Sequence, residues 1–147
     1  MTSTGNLLVL NGPNLNLLGS REPAVYGSAT LDEVNELCIS TAESAGFSVE
    51  CIQSNHEGDL LDAIHAARGT ADGIVINAGA YSHTSIALRD AISGVGLPTV
   101  EVHISNVHAR EEFRHHSQLS AVSSAVIVGA GINGYALAIQ HLAKLLG

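Results

Sequence analysis

Short apolar runs separated by longer amphipathic stretches constrain this chain more than any other feature. Leu7-Leu8-Val9-Leu10, Ile74-Val75-Ile76, Thr99 to Val102 and Ala125-Val126-Ile127-Val128 predict strands buried on both faces. Phe47 to Ile52 alternates in polarity, as an edge strand does. Between them lie helical patterns. Thr30-Leu31-Asp32-Glu33 is a capping-box sequence, with Leu31, Val34, Leu37 and Cys38 on one face behind it and Gly46 as a stop. Ser54-Asn55-His56-Glu57 offers a second box before Leu60, Leu61 and Ile64, closed near Gly69. A third helix is expected from about Ser82 to Ser93 and a last one from about Gly134 to Leu146. Alternating strands and helices predict a parallel sheet with helices on both faces.

At 147 residues the chain suits one domain spanning 1–147 with a single core. The simplest arrangement is an α/β, flavodoxin-like three-layer fold: a five-stranded parallel sheet in the order 2-1-3-4-5. With 46% apolar and 14% charged residues, disorder is not expected. No apolar run approaches the roughly 20 residues needed to span a bilayer. The start, Met1 to Asn6, lacks the basic and apolar character of a secretory signal. A cytoplasmic protein is expected, with Cys38 and Cys51 as packing residues. A net charge of −8 argues against nucleic acid or an anionic membrane as partner.

Parallel sheets of this kind bind ligands beyond the C-terminal ends of their strands. Three such ends are rich in polar residues. Asn11-Gly12-Pro13-Asn14 and a long loop, Gly19 to Gly27, follow the first strand. Asn77-Ala78-Gly79-Ala80-Tyr81-Ser82-His83 follows the third. The fourth carries Glu101 and His103 on one face and leads into Ile104-Ser105-Asn106, Arg110 and Arg114. The topology brings these distant segments to one rim. That rim offers tyrosine, histidine, arginine and asparagine, but no lysine and no plausible serine or cysteine nucleophile. Schiff-base catalysis needs a desolvated lysine, and Lys144 is in the last turn of the terminal helix. Acid–base chemistry on a small anionic substrate is the natural reading.

Leu10 to Gly27, L-N-G-P-N-L-N-L-L-G-S-R-E-P-A-V-Y-G, resembles the signature of the type II 3-dehydroquinate dehydratases. I-N-A-G-A-Y-S-H-T-S, E-V-H-I-S-N and A-R-E-E-F-R-H-H-S resemble further stretches of that family, and the likeness runs from about Leu7 to Leu146. It implies a cofactor-free, metal-free lyase that turns 3-dehydroquinate into 3-dehydroshikimate, in the shikimate pathway of aromatic amino acid biosynthesis or in quinate breakdown. The implied roles are specific. Tyr26, as phenolate, removes the C2 proton, with Arg21 holding it ionised. Asn14, through a bound water, stabilises the enolate. His103 protonates the departing C1 hydroxyl, oriented by Glu101. Asn77 and the Ile104 and Ser105 backbone N–H groups hold the carboxylate, while His83 and Arg114 hold ring hydroxyls. Trimers assembled into dodecamers are also implied, with Asp90 donated to a neighbouring subunit's site.

Each of these residues has a plainer reading. Tyr26 could pack its loop onto the body. An isolated phenol is almost wholly protonated at pH 7, so its use as a base depends on the guanidinium beside it. His83 and His103 could be structural, or with Glu101 could ligate a metal. His108, His115, His116 and His141 read as packing or solvent-facing, and Glu111 and Glu112 as a solvated helix face. Arg110 suits a structural ion pair as well as a site role. Asp90 lies seven residues after His83 on the expected third helix, two turns and ~10.5 Å further along it. It is therefore too far to join His83, and could equally be a surface aspartate paired with Arg89 or Arg110. Gly129-Ala130-Gly131-Ile132-Asn133-Gly134 is a literal G-x-G-x-x-G, but only 13 residues follow it and none is acidic. A dinucleotide site needs an acidic residue ~20 positions on; the glycines more simply let the last helix start close to the sheet. The rivals are thus a non-catalytic flavodoxin-like module for a flavin or nucleotide, and a metal-dependent hydro-lyase.

Overall fold

The computed structural model describes residues 4–147; of the Met1 to Asn6 stretch weighed for signal character, the first three residues lie outside the described residues. Five strands, β1 (Gly5–Asn11), β2 (Phe47–Gln53), β3 (Gly73–Asn77), β4 (Thr99–His103) and β5 (Ala125–Val128), form one parallel sheet in the order β2-β1-β3-β4-β5. This is the expected flavodoxin-like arrangement. Five helices accompany it: α1 (Pro23–Tyr26), α2 (Leu31–Ser44), α3 (Glu57–Ala67), α4 (Ile86–Val95) and α5 (Asn133–Leu146).

Alternate strand residues face opposite layers. Leu7, Val9, Val75, Val100 and Val102 pack against α2 and α5, while Leu8, Leu10, Ile74 and Ile76 pack against α3 and α4. Leu60, Ile64, Leu88 and Ile92 are fully or almost fully buried in the second layer, each contributing about 1.5–3 kcal/mol relative to exposure. The register aligns Asn11 with both Gln53 and Asn77, so the polar strand ends share one rim. Gly12 continues that rim: a Cβ there would lie 2.3 Å from the Ala78 carbonyl oxygen, and its N–H donates to Asn77 O at 2.8 Å. No larger residue lets the two strand ends approach so closely.

The Thr30 cap forms as expected, its Oγ1 accepting from Glu33 N at 3.3 Å. Three expectations need correction. Ser54 does not cap α3; its Oγ accepts from His56 N and donates to Asp59, so the helix begins at Glu57 with His56 at the cap position. The third helix does not start at Ser82. That residue is buried, and its Oγ bonds back to Gly79 O at 2.7 Å within a 3-10 turn, Gly79–His83. Ser85 Oγ accepts from Leu88 N at 2.9 Å and starts α4 instead. His83 and Asp90 are therefore not on one helix. Finally, Glu111 and Glu112 lie on no α-helix. The chain after β4 makes three short 3-10 turns, Val107–Ala109, Glu112–Arg114 and Ser120–Val122. Its polar side chains find partners in the rim, and those bonds override helical periodicity.

Gly134 opens α5 against the sheet, where a Cβ would lie 3.2 Å from Val102 Cγ1. That close approach, with positive φ at Gly129 and Gly131, accounts for the G-x-G-x-x-G string. Among the described residues no helix is long and apolar enough to cross a membrane.

Candidate active site

A cleft of about 260 Å³ opens at the C-terminal rim of β1, β3 and β4. Asn14, Arg21, Tyr26, Asn77, His83, His103, Ile104, Ser105 and Arg114 all line it, as does Arg110. Glu101 stands one layer behind, and Asp90 is elsewhere.

Tyr26 ends α1, half-buried against the α2–α5 layer. The guanidinium that reaches its phenol oxygen is Arg110, whose Nη1 donates to it at 2.8 Å and also to Ser105 Oγ at 3.3 Å. Arg21 was expected in that place. Its guanidinium instead lies 4.8 Å from the centre of the Tyr26 ring and pairs with Glu22 at 3.6 Å. Arg110 also covers the ring, at 5.1 Å. Two cations thus flank one phenol, and one of them is aimed at the oxygen that would carry negative charge.

Strand alternation sends Glu101 and His103 away from the α2–α5 layer, toward the segment that follows β4. Glu101 is wholly buried. Its carboxylate is bound by His103 Nε2 and accepts from Ser117 Oγ and Ser120 Oγ, both at 2.6 Å. Burial pushes its pKa up, but the bonds from His103, Ser117 and Ser120 outweigh that and hold it below the ordinary carboxylate value. Because Nε2 is committed to Glu101, Nδ1 is the His103 nitrogen left for the cleft. The two serines gave no motif; that the fourth strand carries a buried acid was the only hint that hydroxyl donors must exist.

Asn14 sits at φ 69°, a left-handed conformation that asparagine tolerates, and its N–H donates to Asn55 Oδ1 at 3.0 Å. Asn77 is 4% exposed; its Oδ1 accepts from Gly79 N at 3.2 Å and its Nδ2 donates to Tyr135 Oη at 2.9 Å. His83 Nδ1 meets His116 O at 2.8 Å, and its ring stacks on His103 with centroids 6.3 Å apart. Arg114 pairs with Glu111, so that glutamate is an ion-pair partner rather than part of a solvated helix face. Among the described residues Arg110 forms no ion pair; its side chain bonds Tyr26 and Ser105.

Asp90 is exposed on α4, in a shallow hollow with Leu61, His65, Arg68, Ala87 and Val95. It makes no salt bridge with Arg89 or Arg110; Arg89 donates to Gln118 O at 3.1 Å. Among the described residues no three His, Cys, Asp or Glu side chains converge as metal ligands. Glu101 and His103 instead face each other and the two serines.

Comparison with known proteins gives one answer. A family model described as dehydroquinase class II matches residues 5–143. A 3-dehydroquinate dehydratase of Ruegeria pomeroyi is 63% identical over 141 residues, covering 96% of this chain and 95% of its own. The catabolic 3-dehydroquinase 2 of Aspergillus flavus is 59% identical over 143 residues, covering 97% and 95%. The crystal structure of a type II dehydroquinase from Propionibacterium acnes superposes with a TM-score of 0.92 at 44% identity, covering 98% of this chain and 99% of that one. Its fold, its cleft and its relatives agree, and the chain belongs to the class II dehydroquinase family.

Proposed function

We propose that this protein is a hydro-lyase that dehydrates 3-dehydroquinate to 3-dehydroshikimate, a step shared by the shikimate pathway and quinate breakdown. One observation carries the reading: a phenol flanked by two guanidiniums and an imidazole backed by a buried carboxylate line the same cleft. Family membership supports the substrate.

Tyr26, as phenolate, takes the C2 proton of the substrate, which the C3 ketone acidifies. The electron pair moves onto the ketone oxygen as an enolate. Asn14, through a bound water, supplies a donor where that charge develops. The enolate then collapses, the C1–O bond breaks, and the departing hydroxyl takes a proton from His103 Nδ1. Glu101 orients the imidazole from behind. Asn77 and the backbone N–H groups of Ile104 and Ser105 hold the carboxylate, and His83 and Arg114 hold ring hydroxyls. Arg110, bonded to the Tyr26 oxygen, and Arg21, over its ring, hold that side chain in place. No resident metal or cofactor enters this scheme.

The protein works in the cytoplasm, where two free cysteines suit the redox state. Neither nucleic acid nor membrane is a partner. It assembles from trimers into a dodecamer, and Asp90, exposed on α4, completes the cleft of a neighbouring copy.

The test is enone formation from 3-dehydroquinate, followed in the ultraviolet, for the wild type and for Tyr26→Phe. The wild type should turn over, and the variant should lose at least ~100-fold in kcat. Near-normal turnover by Tyr26→Phe would remove the central claim.

A further inference from the structure

Tyr135 is wholly buried on α5, yet it ends in a hydroxyl. That hydroxyl donates to Asn11 Oδ1 at 2.6 Å and accepts from Asn77 Nδ2 at 2.9 Å. The meeting follows from strand alternation. Asn11 extends the face of Leu7 and Val9, Asn77 extends that of Val75, and both therefore point toward α5. A chain of bonds runs from the rim inward: Gly79 N to Asn77, Asn77 to Tyr135, Tyr135 to Asn11.

Its direction is fixed at the rim end. The Gly79 backbone N–H can only donate, so the Asn77 atom that faces it is Oδ1. Nδ2 then faces Tyr135, whose oxygen must accept. The single hydroxyl proton is left for Asn11 Oδ1. Asn11 Nδ2, on the other side of that amide, has no hydrogen-bond partner. Turning the Asn11 amide to rescue it would set two donors against each other unless Asn77 turned as well. Burial holds the Tyr135 phenol protonated, with a pKa raised well above the usual value.

We propose that Tyr135 is a positioning residue for the substrate: with the Gly79 N–H, which fixes Oδ1, it holds the Asn77 amide so that Nδ2 is offered to the carboxylate. A carboxylate is an acceptor only. Of the two Nδ2 protons one is bound by Tyr135, and Asn77 lines the cleft, so the proposal gives the other proton to the carboxylate. A reversed amide would set its oxygen against the anion. The inference rests on the reading of Asn77 as a carboxylate contact, and the experiment separates the two.

Steady-state constants with 3-dehydroquinate are measured for the wild type, Tyr135→Phe, Asn77→Ala and the double variant. Tyr135→Phe should raise KM by about 3–10-fold and leave kcat within about twofold, as expected for lost ground-state binding. Asn77→Ala should raise KM further, and Tyr135→Phe should add nothing in that background. Independent, multiplying effects would overturn the proposal, because a purely structural tyrosine has no reason to act through Asn77. An unchanged KM in Tyr135→Phe would overturn it too. An unchanged KM in Asn77→Ala would instead overturn the carboxylate contact, and the proposal with it. If Tyr135→Phe does not fold, Asn11→Ala takes its place in the cycle. Without Asn11 the hydroxyl proton competes with the Gly79 N–H for Asn77 Oδ1, and the hold on Nδ2 weakens. The same rise in KM, abolished in the Asn77→Ala background, is expected, and its absence would overturn the proposal.

Discussion

Arg110 and Tyr26, 84 residues apart in the chain, are joined by a 2.8 Å hydrogen bond from guanidinium to phenol oxygen. Arg21 is close in sequence but lies over the ring face. The two arginines therefore have separable effects. Arg110→Leu should lower kcat by about 100-fold, the range for impairing a positioned general base. Arg21→Leu should cost less in kcat, since its guanidinium lies over the ring and not at the oxygen. Equal losses for the two leucine variants would show that proximity to the ring, not the bond to oxygen, is what matters.

Glu101 links stability to pH. Its folded pKa is held below the ordinary value by His103, Ser117 and Ser120 despite burial. A depressed carboxylate stabilises the fold fully above the unfolded pKa, near pH 4, and loses that contribution as pH falls through the folded value. Thermal unfolding of the wild type should therefore fall more steeply below about pH 4 than that of Glu101→Gln. Parallel curves for the two proteins would contradict this.

Catalysis should need neither a lysine nor a divalent metal. Lys144 sits in the last turn of α5, which runs antiparallel to the strands and so ends at the rim opposite the cleft. Borohydride in the presence of substrate should leave activity intact, and so should overnight EDTA. Irreversible inactivation by borohydride only when substrate is present would reveal a Schiff base.

Asp90 should act between subunits. Tyr26→Phe and Asp90→Ala proteins, unfolded and refolded together, should give more activity than the sum of the two refolded apart, because some interfaces pair an intact Tyr26 with an intact Asp90. Strictly additive activity, with mixing verified by native mass, would return Asp90 to an ordinary surface role.

Much of this architecture was legible in the sequence because it rests on local pattern. Leu7 to Leu10 and Ile74 to Ile76 are strands because nothing but a doubly covered strand buries such runs, and Thr30 caps α2 by a bond three residues away. What escaped is settled by distant partners. Ser54 prefers the Asp59 side chain to a backbone cap, and Ser82 turns back to Gly79. The chain after β4 loses its helix to Tyr26 and Glu101. The same reason left Arg110 open between an ion pair and a site role: a residue whose role is set by a phenol 84 positions away has no local signal. Tyr135 was hidden differently, since a tyrosine on a helix face reads as ordinary packing, and with it the inward bond of the rim residue Asn11.

Alternation along the strands divides the machinery by layer. Tyr26, Asn77 and Tyr135 lie on the α2–α5 side, whereas Glu101 and His103 project from β4 to the other. The sheet is thus a partition between the group that receives a proton and the group that returns one. A core substitution beneath α5 should act first on Tyr26 and Asn77, and one near Leu119 first on Glu101 through Ser117 and Ser120. The two proton transfers are therefore supported by different packing layers, although they meet in a single small cleft.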